Sequence, residues 1–303
     1  MSIFSDKFDQ LKKADKAVKS PKYLQEVMGI GRIAENGIFE VGKGIYSRTY
    51  RFLDINYVTA GAEEQMRILK QYCKTVNAID IYFLITIFNR NKNMQDFREH
   101  VLFQEKGDGF NWLRGSYNQI IEKRIVDGRQ GIEQEKLLTV CVERKSYEQA
   151  KAFFATFEAT LKQNFGELGS CIEELNAEER LRVLFNFYRI GEEEQFSFDF
   201  RQALKKGGDP KNDISPGYMQ FYPGYFETER KKCRALFIKK YPSSLSDTFL
   251  NEITSLPVHS ITTICIVPVP KELANKVLQK KYLGIENDIL KQAALILAEK
   301  NDM

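Results

Sequence analysis

A chain of 303 residues with 43% hydrophobic content can bury a real core, in one large or two moderate domains. Its 45 basic and 41 acidic residues leave a net charge of +4, too small for a dedicated nucleic-acid binder. No apolar run approaches the ~20 residues that span a bilayer.

The N-terminus, MSIFSDKFDQLKKADK, is charged from Asp6 onward and lacks an apolar export core. A cytoplasmic location is the expectation. Residues 1–35 read as a basic, helical N-terminal segment, interrupted at Ser20-Pro21. It concentrates Lys12, Lys13 and Lys16, with Lys19 and Lys22 close behind. Such a run is a solvated helix face or a contact for anionic lipid or a membrane-bound partner.

Next comes Gly37–Tyr57, GIFEVGKGIYSRTYRFLDINY. Gly37, Gly42 and Lys43 fall at the spacing of a phosphate-binding loop, G-x-x-x-x-G-K-[ST]. That motif needs Ser or Thr after the lysine to hold Mg²⁺, and Gly44 stands there. It also needs a helix directly downstream to meet the phosphates. The downstream residues instead alternate Tyr46, Arg48, Tyr50, Phe52 against Ile45, Ser47, Thr49, Arg51, which is strand patterning. The stretch therefore predicts a β-hairpin turning at Gly42-Lys43-Gly44.

A helix then runs to about Val76, with Ala62, Met66, Leu69, Cys73 and Val76 as its buried face. Ala78–Phe88 reads as a strand covered on both faces, and Asn89–Asn93 as a polar loop. Residues 94–128 read as helical with a break at Gly107-Asp108-Gly109, and Trp112 as a core anchor. Lys136–Glu143 is a strand, and Ser146-x-x-Gln149 caps a helix lined by Ala150, Phe153, Phe154, Phe157 and Leu161. A short strand is expected within Gly166–Glu174. Asn176-x-x-Glu179 then caps a helix carrying Leu181, Leu184, Phe185 and Tyr188.

The fold class expected is α+β. Residues 36–191 form a ferredoxin-like split βαβ subdomain with a helical insertion. Residues 192–215, rich in turn formers, form a connector. Residues 216–303 repeat the order hairpin, helix, strand, helix: a hairpin joined through TERKK, a helix capped by Ser244 or Ser246, a strand over His259–Val269, and a long helix from Lys271.

The chemistry-bearing residues are sparse. Cys73, Cys141, Cys171, Cys233 and Cys265 form no C-x-x-C pair, and His100 and His259 are the only histidines. Zinc binding at the usual spacings is excluded, and the cysteines read as small buried hydrophobes in a reducing compartment. His259 reads as structural, and Asp54 as a strand-end acid without an identifiable catalytic partner. No catalytic, cofactor-binding or metal-ligating set stands out. An RNA-recognition module shares the ferredoxin-like order, but KLLTVCVE lacks the stacking aromatics it would need.

The segments GIFEVGKGIYSRTYRFLDINY, QYCKTVNAIDIYFLITIFNRNK, LNAEERLRVLFNFYRIG and FIKKYPSSLSD, with Ser260–Pro270 and Lys276–Lys291, carry a resemblance that covers the chain from about Ile30 onward. Together they resemble the N-terminal, non-motor region of VirB/TrbE/CagE-type conjugation ATPases, in particular those of Gram-positive conjugative elements. Members of that family continue into a RecA-like motor with Walker A and B motifs, which have no counterpart before Met303, so no ATP-binding residue carries over. The resemblance implies an assembly domain rather than an enzyme. Its expected partners are inner-membrane subunits of a type IV secretion machine and its own motor domain, with homo-oligomerisation left open. Nucleic acid is not an expected partner of this chain alone. Expected contact surfaces are Lys12, Lys13 and Lys16, the edge strand of a hairpin, and the Glu192–Pro210 connector. The competing readings are a nucleotide-binding enzyme using Gly37–Lys43 and a single-stranded DNA binder.

Overall fold

A computed structural model describes residues 24–57, 59–91, 102–127, 132–228, 231–240, 249–256, 258–269, 272–276 and 278–285. The chain is mixed α+β. A first helical turn, α1 (Leu24–Val27), precedes the short strand β1 (Arg32–Ile33) and the hairpin β2 (Phe39–Gly42) and β3 (Ile45–Phe52). Helix α2 (Ala62–Ala78), strand β4 (Phe83–Asn91), helix α3 (Asn111–Asp127) and strand β5 (Ile132–Glu143) come next. Then come α4 (Tyr147–Leu168), β6 (Ile172–Glu174), α5 (Ala177–Tyr188), α6 (Phe200–Lys206) and α7 (Lys211–Ile214). The last elements are strands β7 (Met219–Tyr222), β8 (Tyr225–Thr228) and β9 (Lys231–Cys233), helix α8 (Phe249–Thr254) and strand β10 (Ser260–Ile266). Residues 272–276 and 278–285 are helical.

These elements fall into two compact units, each assembled from separate parts of the chain. The first takes the residues up to Ser47, Asn89–Glu133 and Leu175–His259; the second takes Arg48–Phe88, Gln134–Glu174 and Ser260 onward. Residues 216–303 are thus divided at Ser260.

In the second unit the strands neighbour one another in the order β6, β3, β5, β4, β10. β3 and β6 pair antiparallel, with Tyr50 opposite Glu174 and Phe52 opposite Ile172. The core contains Tyr50, Phe83, Val140, Phe154 and Leu161, all essentially inaccessible to solvent. Polar residues of β3 are buried too. Thr49 shares a 2.9 Å hydroxyl bond with Thr139, and on the same face Arg51 meets the buried Glu135 of β5 at 2.6 Å; Arg48, on the opposite face, meets Glu158 of α4 at 3.2 Å. Alternation of polarity in β3 therefore marks two covered faces, one of which is filled by partnered polar groups.

Helix α4 begins where its cap predicts. The Ser146 hydroxyl accepts from the Gln149 N–H, and Gly169 closes the helix in the left-handed region at φ 82°. The helix therefore reaches Leu168, and β6 is confined to Ile172–Glu174. Helix α2 differs from its expected packing. It buries Ile68 and Thr75, while Met66 and Leu69 are 52% and 47% exposed and Cys73 is exposed. Gln71 and Lys74 both bind Glu167 of α4 at the surface, and the buried Thr75 hydroxyl donates within the helix to Gln71 O.

The first unit centres on Met28, Phe39, Ala177, Leu181, Phe185, Phe198 and Ile214. Phe198 and Ile214 belong to the stretch read as a connector, which is built into this core through α6 and α7. β4 continues to Asn91, so Asn89 is a strand residue rather than a loop residue. The Asn89 side chain is buried and donates to the carbonyls of Thr254 and Leu256. Trp112 is 70% exposed, so it is not a core anchor. Residues 102–110 are non-helical and are held to α3 by paired bonds between Phe103 and Asn118 and by the Asp108–Arg114 ion pair. Those bonds hold the loop to α3 without covering Trp112.

The hairpin expected through TERKK forms between β8 and β9, with Thr228 opposite Lys231, although its second strand ends at Cys233. An additional turn at Pro223-Gly224, with Gly224 at φ 87°, divides the preceding strand into β7 and β8 and makes the sheet a three-stranded meander.

Candidate functional site

The segment spaced like a phosphate loop is an antiparallel hairpin. β2 and β3 pair with Phe39 opposite Ser47 and Gly42 opposite Ile45. Lys43 and Gly44 make the turn, Gly44 at φ 72°. The turn leads directly into a strand, whereas a phosphate loop requires the amide-rich N-terminus of a helix at that position. The edge of the hairpin is not free. β1 covers β2, pairing Arg32 with Glu40 and Ile33 with Phe39.

The start of α5 holds the base of this hairpin. Asn176 and Glu179 form a reciprocal capping box, and the Ala177 N–H donates to Glu35 O at 3.1 Å. One turn on, the buried Arg180 donates to Gly37 O (2.7 Å), Ser47 O (2.9 Å) and Ser47 Oγ (3.1 Å). Its guanidinium carbon lies 3.9 Å from the centroid of Phe39. Gly37 has φ 80°, and a Cβ there would fall 1.9 Å from Leu175 O. The first glycine of the apparent motif is therefore required for backbone contact with Leu175. Arg180 was missed by sequence reasoning because, within LNAEERLRVLF, it reads as one more charge on a helix surface.

Two clefts lie beside β1 and β2. One, of about 510 Å³, is lined by Gln25, Met28, Arg32, Glu40, Lys43 and Lys211 among others. Arg32 meets Glu40 at 3.6 Å, so the cleft mixes both signs of charge. The other, about 240 Å³, lies between Ile30–Ile33 and the Gly207–Lys211 turn.

Several other polar groups among the described residues have structural partners. Asp54 pairs with Lys136 at the end of β3. The Arg114 guanidinium holds the Asp108 carboxyl well below the usual carboxylate range. Burial, aided by a hydrogen bond to Cys265, pushes the Tyr82 hydroxyl up to about 12, the wrong direction for a base or nucleophile. Burial lowers the His259 imidazole below its usual 6.5, with Glu193 opposing. The cysteines are not buried: Cys73, Cys171 and Cys265 are exposed, and Cys141 and Cys233 are half-buried. They sit on the outer side of α2, in the turn before β6, on β10, and on strands β5 and β9. Among the described residues, no group of three or more His, Cys, Asp or Glu could hold a metal ion.

Lys12, Lys13 and Lys16 lie outside the described residues, as do Ser244 and Ser246. Among the described residues no helix is long and apolar enough to cross a membrane. Surface-exposed apolar side chains are prominent instead. They lie on α2 (Met66, Leu69, Tyr72), on α3 (Trp112, Leu113, Tyr117, Ile120) and on the meander with the residues after it (Phe221, Leu236, Phe237).

No family model matches the chain, and no curated protein matches it.

Proposed function

We propose that this chain is an assembly domain of a type IV secretion (conjugation) ATPase, acting at the cytoplasmic face of the membrane through contacts with inner-membrane subunits. The observation that carries the reading is the hairpin. The segment on which the resemblance is strongest, Gly37–Tyr57, is fixed as a sheet corner by Arg180 and Gly37 rather than presented as a phosphate cradle. The exposed apolar residues of α2 and α3 add to it, because such surfaces serve protein contact.

The second unit is proposed to be ferredoxin-like. Its neighbours β6, β3, β5, β4 stand in the order fourth, first, third, second for a β-α-β-β-α-β chain, with α3 inserted between the two middle strands and β10 added at the β4 edge.

The test is co-purification with the short membrane subunits encoded beside this chain, together with calorimetry against Mg-ATP. The proposal expects association and no nucleotide binding. Absence of association, with micromolar ATP affinity that disappears in Lys43→Ala, would replace it with the nucleotide-enzyme reading.

A further inference from the structure

The meander carries a feature that protein docking does not explain. Its turn reads FYPGYF, with aromatic residues placed symmetrically about Pro223-Gly224. The register puts Phe221 opposite Phe226 and Tyr222 opposite Tyr225. Successive residues point to opposite faces, so each face of the tip carries one aromatic pair. The tyrosines stack at 4.8 Å and the phenylalanines lie 5.9 Å apart. Phe221 is 73% exposed, and nothing lies within 4 Å of the Cβ position at Gly224.

β9 runs antiparallel to β8 from Lys231, opposite Thr228, to Cys233, opposite Phe226. The chain therefore leaves β9 at the turn end of the hairpin. There it carries Arg234 and then Leu236 and Phe237, each 85% exposed. Lys232 lies 5.7 Å from the Tyr225 ring, and Lys239 and Lys240 come soon after in the chain. Lys231 is directed elsewhere, its aliphatic stem lying against Gly191. Against these cations the described meander sets one carboxylate, Glu227, which faces Lys232 across the strands and accepts from Tyr218.

We infer that this tip inserts into the interfacial layer of an anionic lipid bilayer, with Lys232, Arg234, Lys239 and Lys240 meeting the headgroups. Three observations select lipid over a protein partner. The apolar groups sit at an open turn rather than at the centre of a flat or concave patch, where protein hot spots collect. Tyrosine places a ring in the acyl boundary with its hydroxyl in the wet layer. The described meander and the residues that follow it to Lys240 set a single carboxylate, Glu227, against a run of basic side chains, which complements an anionic leaflet. The inference goes beyond the assembly reading, since it needs no protein subunit.

The experiment is flotation of the full chain with vesicles of phosphatidylcholine alone and of phosphatidylcholine with about one third phosphatidylserine. Binding is expected only to the anionic vesicles and is expected to weaken with salt. Lys232→Gln and Arg234→Gln should each weaken it about fivefold, and Phe221→Ser with Phe237→Ser by about tenfold or more. Circular dichroism establishes that each variant is folded. A Phe221→Trp reporter should shift to the blue and be quenched by lipid-borne quenchers. Equal binding to neutral vesicles, no binding at all, or unchanged binding by the folded serine variant overturns the inference. So does tip-dependent capture of a membrane subunit in detergent with no vesicle binding, which would leave the assembly reading intact.

Discussion

Arg180→Met isolates the contacts that hold the Gly37 hairpin in place. Methionine keeps the stem of the side chain and removes three donated bonds of 2.7, 2.9 and 3.1 Å. Two of the acceptors are the backbone carbonyls of Gly37 and Ser47, buried at the base of the hairpin. A buried acceptor left without its donor costs about 1–3 kcal/mol. Replacing a buried guanidinium by an apolar group returns part of that, because desolvation of the charge no longer opposes folding. The balance is a loss of about 3 kcal/mol. Arg180→Lys should recover only a fraction, because an ammonium cannot span the positions met by a planar fork. The chain has two compact units, so a single unfolding midpoint is a blunt probe. Hydrogen exchange by peptide is sharper: protection should fall about a hundredfold in peptides covering 37–47 and 177–188. Peptides of Tyr147–Leu168, in the other unit, should stay protected. A loss below about 1 kcal/mol, or no preferential exchange in the hairpin, would refute the role given to Arg180.

Gly37→Ala should cost about 3 kcal/mol or more, since φ 80° is compounded by the 1.9 Å approach to Leu175 O. Gly224→Ala, at φ 87° in open space, should cost only about 1 kcal/mol by urea titration; equal losses at the two sites would contradict the close-approach account. Asn176→Ala should remove about 1 kcal/mol and selectively raise exchange at the start of α5, because it deletes one half of the capping box. His259 gives a pH dependence of known sign. Its folded value lies below the ordinary 6.5, so its contribution is complete above 6.5 and is lost as pH falls below it. His259→Gln should therefore flatten the decline in urea midpoint between about pH 7 and pH 5, and an unchanged slope would exclude His259 as its source.

The sequence was most legible where local chemistry determines local structure. Ser146 and Asn176 announce helix starts through hydrogen bonds made within three residues, and both helices begin there. Gly44 in place of a hydroxyl residue, joined to an alternating run, announces a hairpin, and the hairpin forms. Periodicity could not assign which face of an element would be covered. The apolar stripe of α2 predicts burial of Met66 and Leu69, yet the helix packs on α4, almost a hundred residues away, with Ile68 and Thr75 buried. Trp112 fails for the same reason: burial depends on groups that arrive from elsewhere, and the loop bonded to α3 leaves that ring exposed.

The same separation explains what the spacing of the glycines alone leaves undecided. A glycine-rich motif records where a backbone needs freedom, but not which group occupies the space that the missing side chain leaves. At Gly37 the occupant is Leu175 O, and the donor that reaches Gly37 O is Arg180, both more than a hundred residues away in sequence. A phosphate loop would leave that space for a ligand and would turn its amides toward it. Here the Gly37 amide bonds to Ala34 O and the Gly37 carbonyl accepts from Arg180, so the peptide groups on both sides of this glycine are committed within the fold. Lys43 sits at the far end of the hairpin in a turn, with a strand rather than a helix behind it. Gly37 thus answers to Leu175 and Arg180 while Lys43 stands in the turn, so Gly37→Ala should register as lost stability and Lys43→Ala should not.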